Sequence, residues 1–109
     1  MEPALIVLTN LPDRATAERL AHALITSRAA ACVNILAECS SIYRWQDAVE
    51  QANEIPLLIK TTVAAYPCVE QTIRELHPYE LPEIVAVPVV AGLPAYLAWV
   101  AQETTPNTL

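Results

Sequence analysis

Apolar residues in this chain fall into short runs whose spacing alternates between the strand and helix periods. Ala4 to Thr9 is a branched apolar run closed by Asn10-Leu11-Pro12, which predicts a buried strand. Asp13 suits a helix N-cap, because its carboxylate can accept from the free N–H groups of a first turn. From Ala17 onward, Leu20, Ala21, Leu24 and Ile25 recur at helical spacing, and the helix should end near Arg28. Cys32 to Ile35 alternates and the alternation returns at Ile42, so a strand is expected over about 32–43, irregular around Ala37-Glu38. Tyr43 to Ala48 reads as the far end of a hairpin with Asp47 in its turn. Ile55, Leu57 and Ile59 mark the return strand, in which Pro56, having no N–H, should sit at an edge or a bulge.

The second half repeats the pattern. Tyr66, Val69, Ile73 and Leu76 form one helical stripe that starts near Tyr66, with Pro67 in the first turn, and must stop before Pro78. Glu70 and Arg74 stand one turn apart and suit an exposed pair. Ile84 to Val90 predicts another strand, with Pro88 near an edge, and Pro94 to Gln102 a short closing helix. Residues 103–109 read as a loose tail. The order is β-α-β-β-α-β with an extra C-terminal helix: a single α+β domain over 1–109, of the split-βαβ, ferredoxin-like kind, with a long central hairpin.

Composition adds self-association to this picture. Apolar residues make up 54% of the 109 positions, high for a chain with so little interior. The last helix is apolar on two faces, Leu93, Leu97 and Val100 on one and Tyr96 and Trp99 on another, and the central hairpin is longer than so small a domain needs. Partner subunits are the expected cover for both.

Charge and cysteine usage remove several function classes. The net charge is −6 with no clustered Lys or Arg, which argues against nucleic acid as a partner. Cys32, Cys39 and Cys68 are an odd count without a CxxC pair, so neither a disulfide framework nor a zinc finger is expected. The first ten residues lack the positive start of a signal peptide, and no run approaches a membrane span. A cytoplasmic protein with reduced thiols is the expectation.

Candidate chemistry centres on His77-Pro78-Tyr79-Glu80-Leu81-Pro82-Glu83. His77, Glu80 and Glu83 recur at a spacing of three, which suggests a divalent-metal site. In an extended three-residue helix such neighbours stand roughly 9 Å apart, too far for one ion to grip all three without help from other strands or chains. The competing reading is a stiff elbow, with two prolines fixing the backbone and Tyr79 as its anchor. The only glycine is Gly92, so a phosphate loop is absent, and no nucleophile stands at a useful spacing from His22 or His77. Tyr43, Arg44 and Trp45 suit hairpin packing or an interface, with ligand stacking as the lesser option. Lys60 suits an ion pair with Glu50 or Glu54 across the hairpin, or an anion contact.

Four blocks, AACVNI (30–35), SIYRWQDAVE (41–50), EIPLLIKTT (54–62) and HPYELPEI (77–84), resemble the CutA divalent-cation-tolerance proteins. The resemblance covers residues 4 to about 102. It implies a stable homotrimer in which the long hairpins pair between neighbours, with a shape similar to PII signalling proteins. It also implies a cytoplasmic protein of copper and divalent-ion tolerance, with no established enzymatic reaction. Some bacterial relatives carry Cys and His where this chain has Thr9 and Leu76. The residues matching those that line clefts between subunits are Trp45, Glu54, Lys60, His77, Tyr79, Glu80 and Glu83. The expected function is a non-enzymatic homotrimer that binds Cu²⁺ or another divalent cation weakly through His77, Glu80 and Glu83, with no obligatory cofactor. The alternative is a PII-like module that holds a small ligand or partner in a cleft formed by Trp45, Glu54, Lys60 and Tyr79.

Overall fold

The computed structural model describes residues 3–105. Its elements are β1 (Ala4–Leu11), α1 (Arg14–Thr26), β2 (Cys32–Ile35), β3 (Cys39–Trp45), β4 (Ala48–Thr62), α2 (Tyr66–Leu76), β5 (Val85–Pro88) and α3 (Pro94–Glu103). The strands form one antiparallel sheet in the order β2-β4-β1-β5, with β3 also paired to β4 beyond the end of β2. This is the ferredoxin-like βαββαβ arrangement with an added C-terminal helix.

Asp13 caps α1 as its chemistry requires, accepting the Thr16 N–H at 2.8 Å. That bond favours the ionised carboxylate and holds its pKa below the ordinary value. The helix therefore begins at Arg14, before the apolar stripe does. It ends at Thr26, and Arg28 takes the left-handed backbone position just beyond, with φ 62°. The Arg28 side chain reaches the Gln102 carbonyl at 3.2 Å and Thr105 Oγ1 at 3.3 Å. Thr104 is buried and bonds back to Val100. The tail expected from Glu103 is thus anchored through Thr105, and 106–109 lie outside the described residues.

Alternation along β1 and β4 produces two unlike sheet faces. Val7, Thr9 and Leu11 stand opposite Ile59, Leu57 and Ile55. Leu20 and Leu24 of α1 and Val69 and Ile73 of α2 cover this face, and all four are fully buried. Each such side chain contributes about 1.5–3 kcal/mol of burial. On the other face, Ile6, Leu8, Leu58 and Lys60 are only partly covered. Here α3 packs over the Ile6 and Lys60 end, while Val85 and Val87 remain half-exposed.

The irregularity expected near Ala37 is a bulge. Ile35 faces Leu57 and Cys39 faces Glu54, so three residues oppose two. Pro56 lies on the short side of this mismatch. Its carbonyl accepts the Leu36 N–H at 3.0 Å, so its nitrogen faces the same break, where no ladder donor is missed. Toward β1 it is an interior position, paired with Asn10.

Past the bulge, β3 and the first half of β4 leave the sheet as a two-stranded ribbon. Its turn is Gln46-Asp47, both left-handed at φ 50° and 66°, which is the two-residue geometry that matches strand twist. The overhang stretches the molecule to 44 Å and its radius of gyration to 14.4 Å, against about 13 Å for a compact domain of this length. On α2, Glu70 accepts from the Tyr66 phenol at 3.0 Å, a partner that the expected pairing with Arg74 did not anticipate.

Thr9 carries the one buried side-chain oxygen without a hydrogen-bond partner among the described residues. Thr9→Val removes that oxygen at nearly constant shape and should raise unfolding free energy by about 1 kcal/mol. Chemical denaturation measures this, and an equal or lower stability shows that the hydroxyl has a partner.

Candidate functional site

The segment after α2 is pinned by its histidine. The helix stops at Leu76, and His77 turns extended while its N–H still bonds the Ile73 carbonyl at 2.8 Å. Its ring is buried. Nε2 lies 2.6 Å from the Asn10 carbonyl oxygen, and Nδ1 lies 3.2 Å from the Tyr79 backbone nitrogen. A carbonyl only accepts and an amide N–H only donates, so Nε2 carries the proton and Nδ1 offers its lone pair to Tyr79. The Asn10 side chain adds a second tie, donating to Glu83 at 3.0 Å. The end of β1 therefore holds both ends of the elbow.

Tyr79 forms the next contact. Its ring is tilted against His77 with centroids 4.7 Å apart, and its phenol donates to Glu54 Oε2 at 3.0 Å. Glu54 is buried in β4, directly opposite Cys39. Burial, the bond to Glu54 and that carboxylate's charge push the Tyr79 phenol up to about 12, with smaller effects from Tyr43 and Asp13. The phenol stays a donor across the ordinary pH range, and the elbow stays fixed against the ribbon.

Between ribbon and elbow is an open cleft of about 230 Å³ lined by Tyr43, Trp45, Glu50, Tyr79, Glu80 and Leu81. Its ribbon wall follows from strand register. Tyr43 faces Glu50, Trp45 faces Ala48 and Cys39 faces Glu54, so alternation puts Tyr43, Trp45, Glu50 and Glu54 on one ribbon face. Arg44 belongs to the opposite face.

The residues singled out from the sequence separate into three groups. Tyr79 and Glu54 are bonded, and Trp45 and Glu80 line the same cleft. Lys60 is elsewhere: it lies on the partly covered sheet face, six residues along β4 from Glu54, opposite Cys32 and donating to Asn34 Oδ1. The third group, His77, Glu80 and Glu83, is not gathered around a point. No cluster of three His, Cys, Asp or Glu suited to a metal ion occurs among the described residues. Within one chain both His77 nitrogens already have partners, so the elbow reading accounts for this residue. Asn10, Glu50 and Leu81 were not identified as site residues. Tyr43 and Trp45 share a strand face by their spacing of two, but the pairing with Glu50 needs the hairpin register.

Alkaline titration isolates the Tyr79 contact. Between the ordinary tyrosine value near 10 and about 12, the unfolded chain loses this proton first, so stability should fall as pH rises through that window. Tyrosinate absorbance should lose its component near pH 12 in Tyr79→Phe, and Glu54→Gln should move that component downward. An unmoved component in Glu54→Gln contradicts the assignment.

Comparison with known proteins agrees with this architecture. The profile of the CutA1 divalent ion tolerance protein family matches residues 5–103. The divalent-cation tolerance protein CutA of Thermus thermophilus is 44% identical over 99 residues, covering 91% of this chain and 96% of the relative. A solved structure of the divalent cation tolerance protein from that organism superposes with a TM-score of 0.92 at 43% identity, covering 94% of this chain and 99% of the other. Protein CutA of Mus musculus is 40% identical over 93 residues, which are 85% of this chain but 52% of the mouse protein, so this chain spans about half of that relative. The structure described as the periplasmic divalent cation tolerance protein CutA of Archaeoglobus fulgidus has a TM-score of 0.90 at 29% identity, covering 94% of this chain and 99% of the other. With the matched profile running from β1 into α3, this chain belongs to the CutA1 divalent ion tolerance protein family.

Proposed function

We propose that this chain serves divalent-cation tolerance as a non-enzymatic homotrimer, in a reducing compartment such as the cytoplasm. The observation that carries the assembly is the apolar surface left open by one copy. Val85 and Val87 on the sheet, Tyr96 and Trp99 on α3 and Ile42 and Val49 on the ribbon are each at least 41% exposed. Three neighbours of this kind can cover one another's sheet faces and pair the ribbons. The free thiols of Cys32, Cys39 and Cys68 suit a reducing compartment.

The metal chemistry that best suits these residues is weak and carboxylate-based. Glu80 and Glu83 are exposed on the elbow, and a neighbouring chain would supply further ligands for Cu²⁺ or a similar ion. His77 acts here as the pin of the elbow. A second reading, supported by the cleft, is a module that binds a small ligand beside Trp45, Glu50, Tyr79 and Glu80.

Light scattering should find a particle of about three times the 11.9 kDa chain mass; a stable particle of single-chain mass overturns the assembly. Calorimetric titration with CuCl₂ should show weak binding, lowered at least about fivefold when Glu80→Gln and Glu83→Gln are combined. His77→Gln should lower unfolding free energy by about 2 kcal/mol and leave copper affinity within about twofold, as expected of a residue that is not a ligand. Loss of copper binding in folded His77→Gln makes the histidine a ligand after all.

A further inference from the structure

The lining of the cleft has a chemical bias that the cleft reading alone does not name. Tyr43, Trp45 and Tyr79 contribute three rings, Glu50 and Glu80 two carboxylates, and Leu81 an apolar side chain; neither lysine nor arginine is among them. Within one copy this set disfavours anionic ligands, because nothing in it offers a compensating positive charge. Its size points the same way. A volume of about 230 Å³ is below the roughly 300–1,000 Å³ of pockets for drug-sized ligands, so within one copy the cleft suits a small ligand.

A bare divalent ion uses this lining poorly as well. Such ions demand oxygen, nitrogen or sulfur ligands at about 2.0–2.6 Å, and ring carbons supply none. The Tyr79 phenol is already spent on Glu54 and keeps its proton. Large, weakly hydrated organic cations have the opposite preference. Their charge is spread over C–H or N–H groups that lie favourably against aromatic faces, and a nearby carboxylate neutralises them without tight coordination.

We propose that the cleft binds a small organic cation of the alkylammonium class, with Tyr43, Trp45 and Tyr79 around the head group and Glu50 and Glu80 balancing its charge. The inference rests on the reading of the cleft as a ligand site and adds the ligand's chemistry. Two features pre-organise the site. Glu54 and His77 hold the Tyr79 ring from two sides, and β3–β4 register keeps Tyr43 beside Glu50. The ribbon supplies one wall and the elbow the other, so the ties at Asn10 also set the width of the cleft.

Calorimetric titration of the assembled full chain with choline chloride tests this, in buffer matched for ionic strength with sodium chloride. Saturable binding is expected with a Kd on the order of 1 mM. Glu50→Gln and Glu80→Gln should each weaken it at least about fivefold, Trp45→Ala should abolish it, and Trp45→Phe should retain most of it. Glu75→Gln, on α2 and outside the cleft, should change nothing. Circular dichroism and light scattering confirm that each variant is folded and assembled, and the two Glu→Gln variants carry the test if Trp45→Ala does not fold. Absence of saturable choline binding overturns the proposed ligand class. If CuCl₂ binding then depends on Glu50 and Glu80, the cleft remains a ligand site and only its chemistry was misassigned. If neither cation responds to those substitutions, the cleft reading fails too. Choline binding indifferent to Trp45→Ala, or a structure of the assembly with a neighbour's side chain filling the cleft, also overturns the proposal.

Discussion

A single strand sets the terms for the rest of this molecule. β4 runs for 15 residues and hydrogen-bonds to β1, β2 and β3. Its second half is a sheet interior, with Leu57 and Ile59 fully buried beneath two helices. Its first half has one neighbour, β3, and almost no cover. No apolar core of this size could enclose both halves, because the chain has too little interior for its length. The strand is therefore split between a folded domain and an overhang, and the bulge opposite Pro56 marks the boundary. Proline fits at that boundary because its missing donor faces the break.

The elbow solves a related problem at the same end of the sheet, where Asn10 of β1 pairs with Pro56. After α2 the chain must turn back to lay β5 along the outer side of β1. Two prolines limit the backbone, but the direction is set by hydrogen bonds. His77 reads the Asn10 carbonyl with one nitrogen and the Tyr79 amide with the other, so a neutral ring of one tautomer satisfies both. Replacing a buried group of this kind leaves two backbone partners unpaired, a larger loss than the bonds themselves contribute. The histidine that looks most like a metal ligand is thus fully occupied by the fold. The carboxylates beside it, Glu80 and Glu83, remain exposed to solvent, Glu83 with one oxygen held by Asn10.

Much of the fold was readable from local pattern. The Asp13 cap, the stop before Pro78, the irregularity near Ala37 and the helix starts beside Pro67 and Pro94 each depend on neighbours within a turn or two, and the structure places all of them as expected. What local pattern lacked was pairing between distant segments. Asn10 and His77 are 67 positions apart, and nothing near either residue announces the other. Tyr79 and Glu54 are separated by 25. Lys60 and Glu54 were expected as an ion pair across the hairpin, yet both lie on β4, and at about 3.3 Å per residue they stand roughly 20 Å apart. Local spacing was ambiguous once: Glu70 stands one turn from both Tyr66 and Arg74, and it accepts from Tyr66. The site was legible as a list of chemically active residues; its division into pin, cleft wall and sheet face required the register.

Arg28 has a consequence for how the two sides of the sheet are linked. It occupies a backbone region that costs an ordinary residue about 1 kcal/mol or more, and glycine would rest there without strain. Its guanidinium group, however, crosses from the end of the core-side helix to the last turn of the helix on the opposite side. The chain accepts a local distortion in exchange for a clamp around the sheet's rim. Two hydrogen bonds at this rim thus fasten the end of α3 to the end of α1, across the edge that separates the covered layer from the uncovered one.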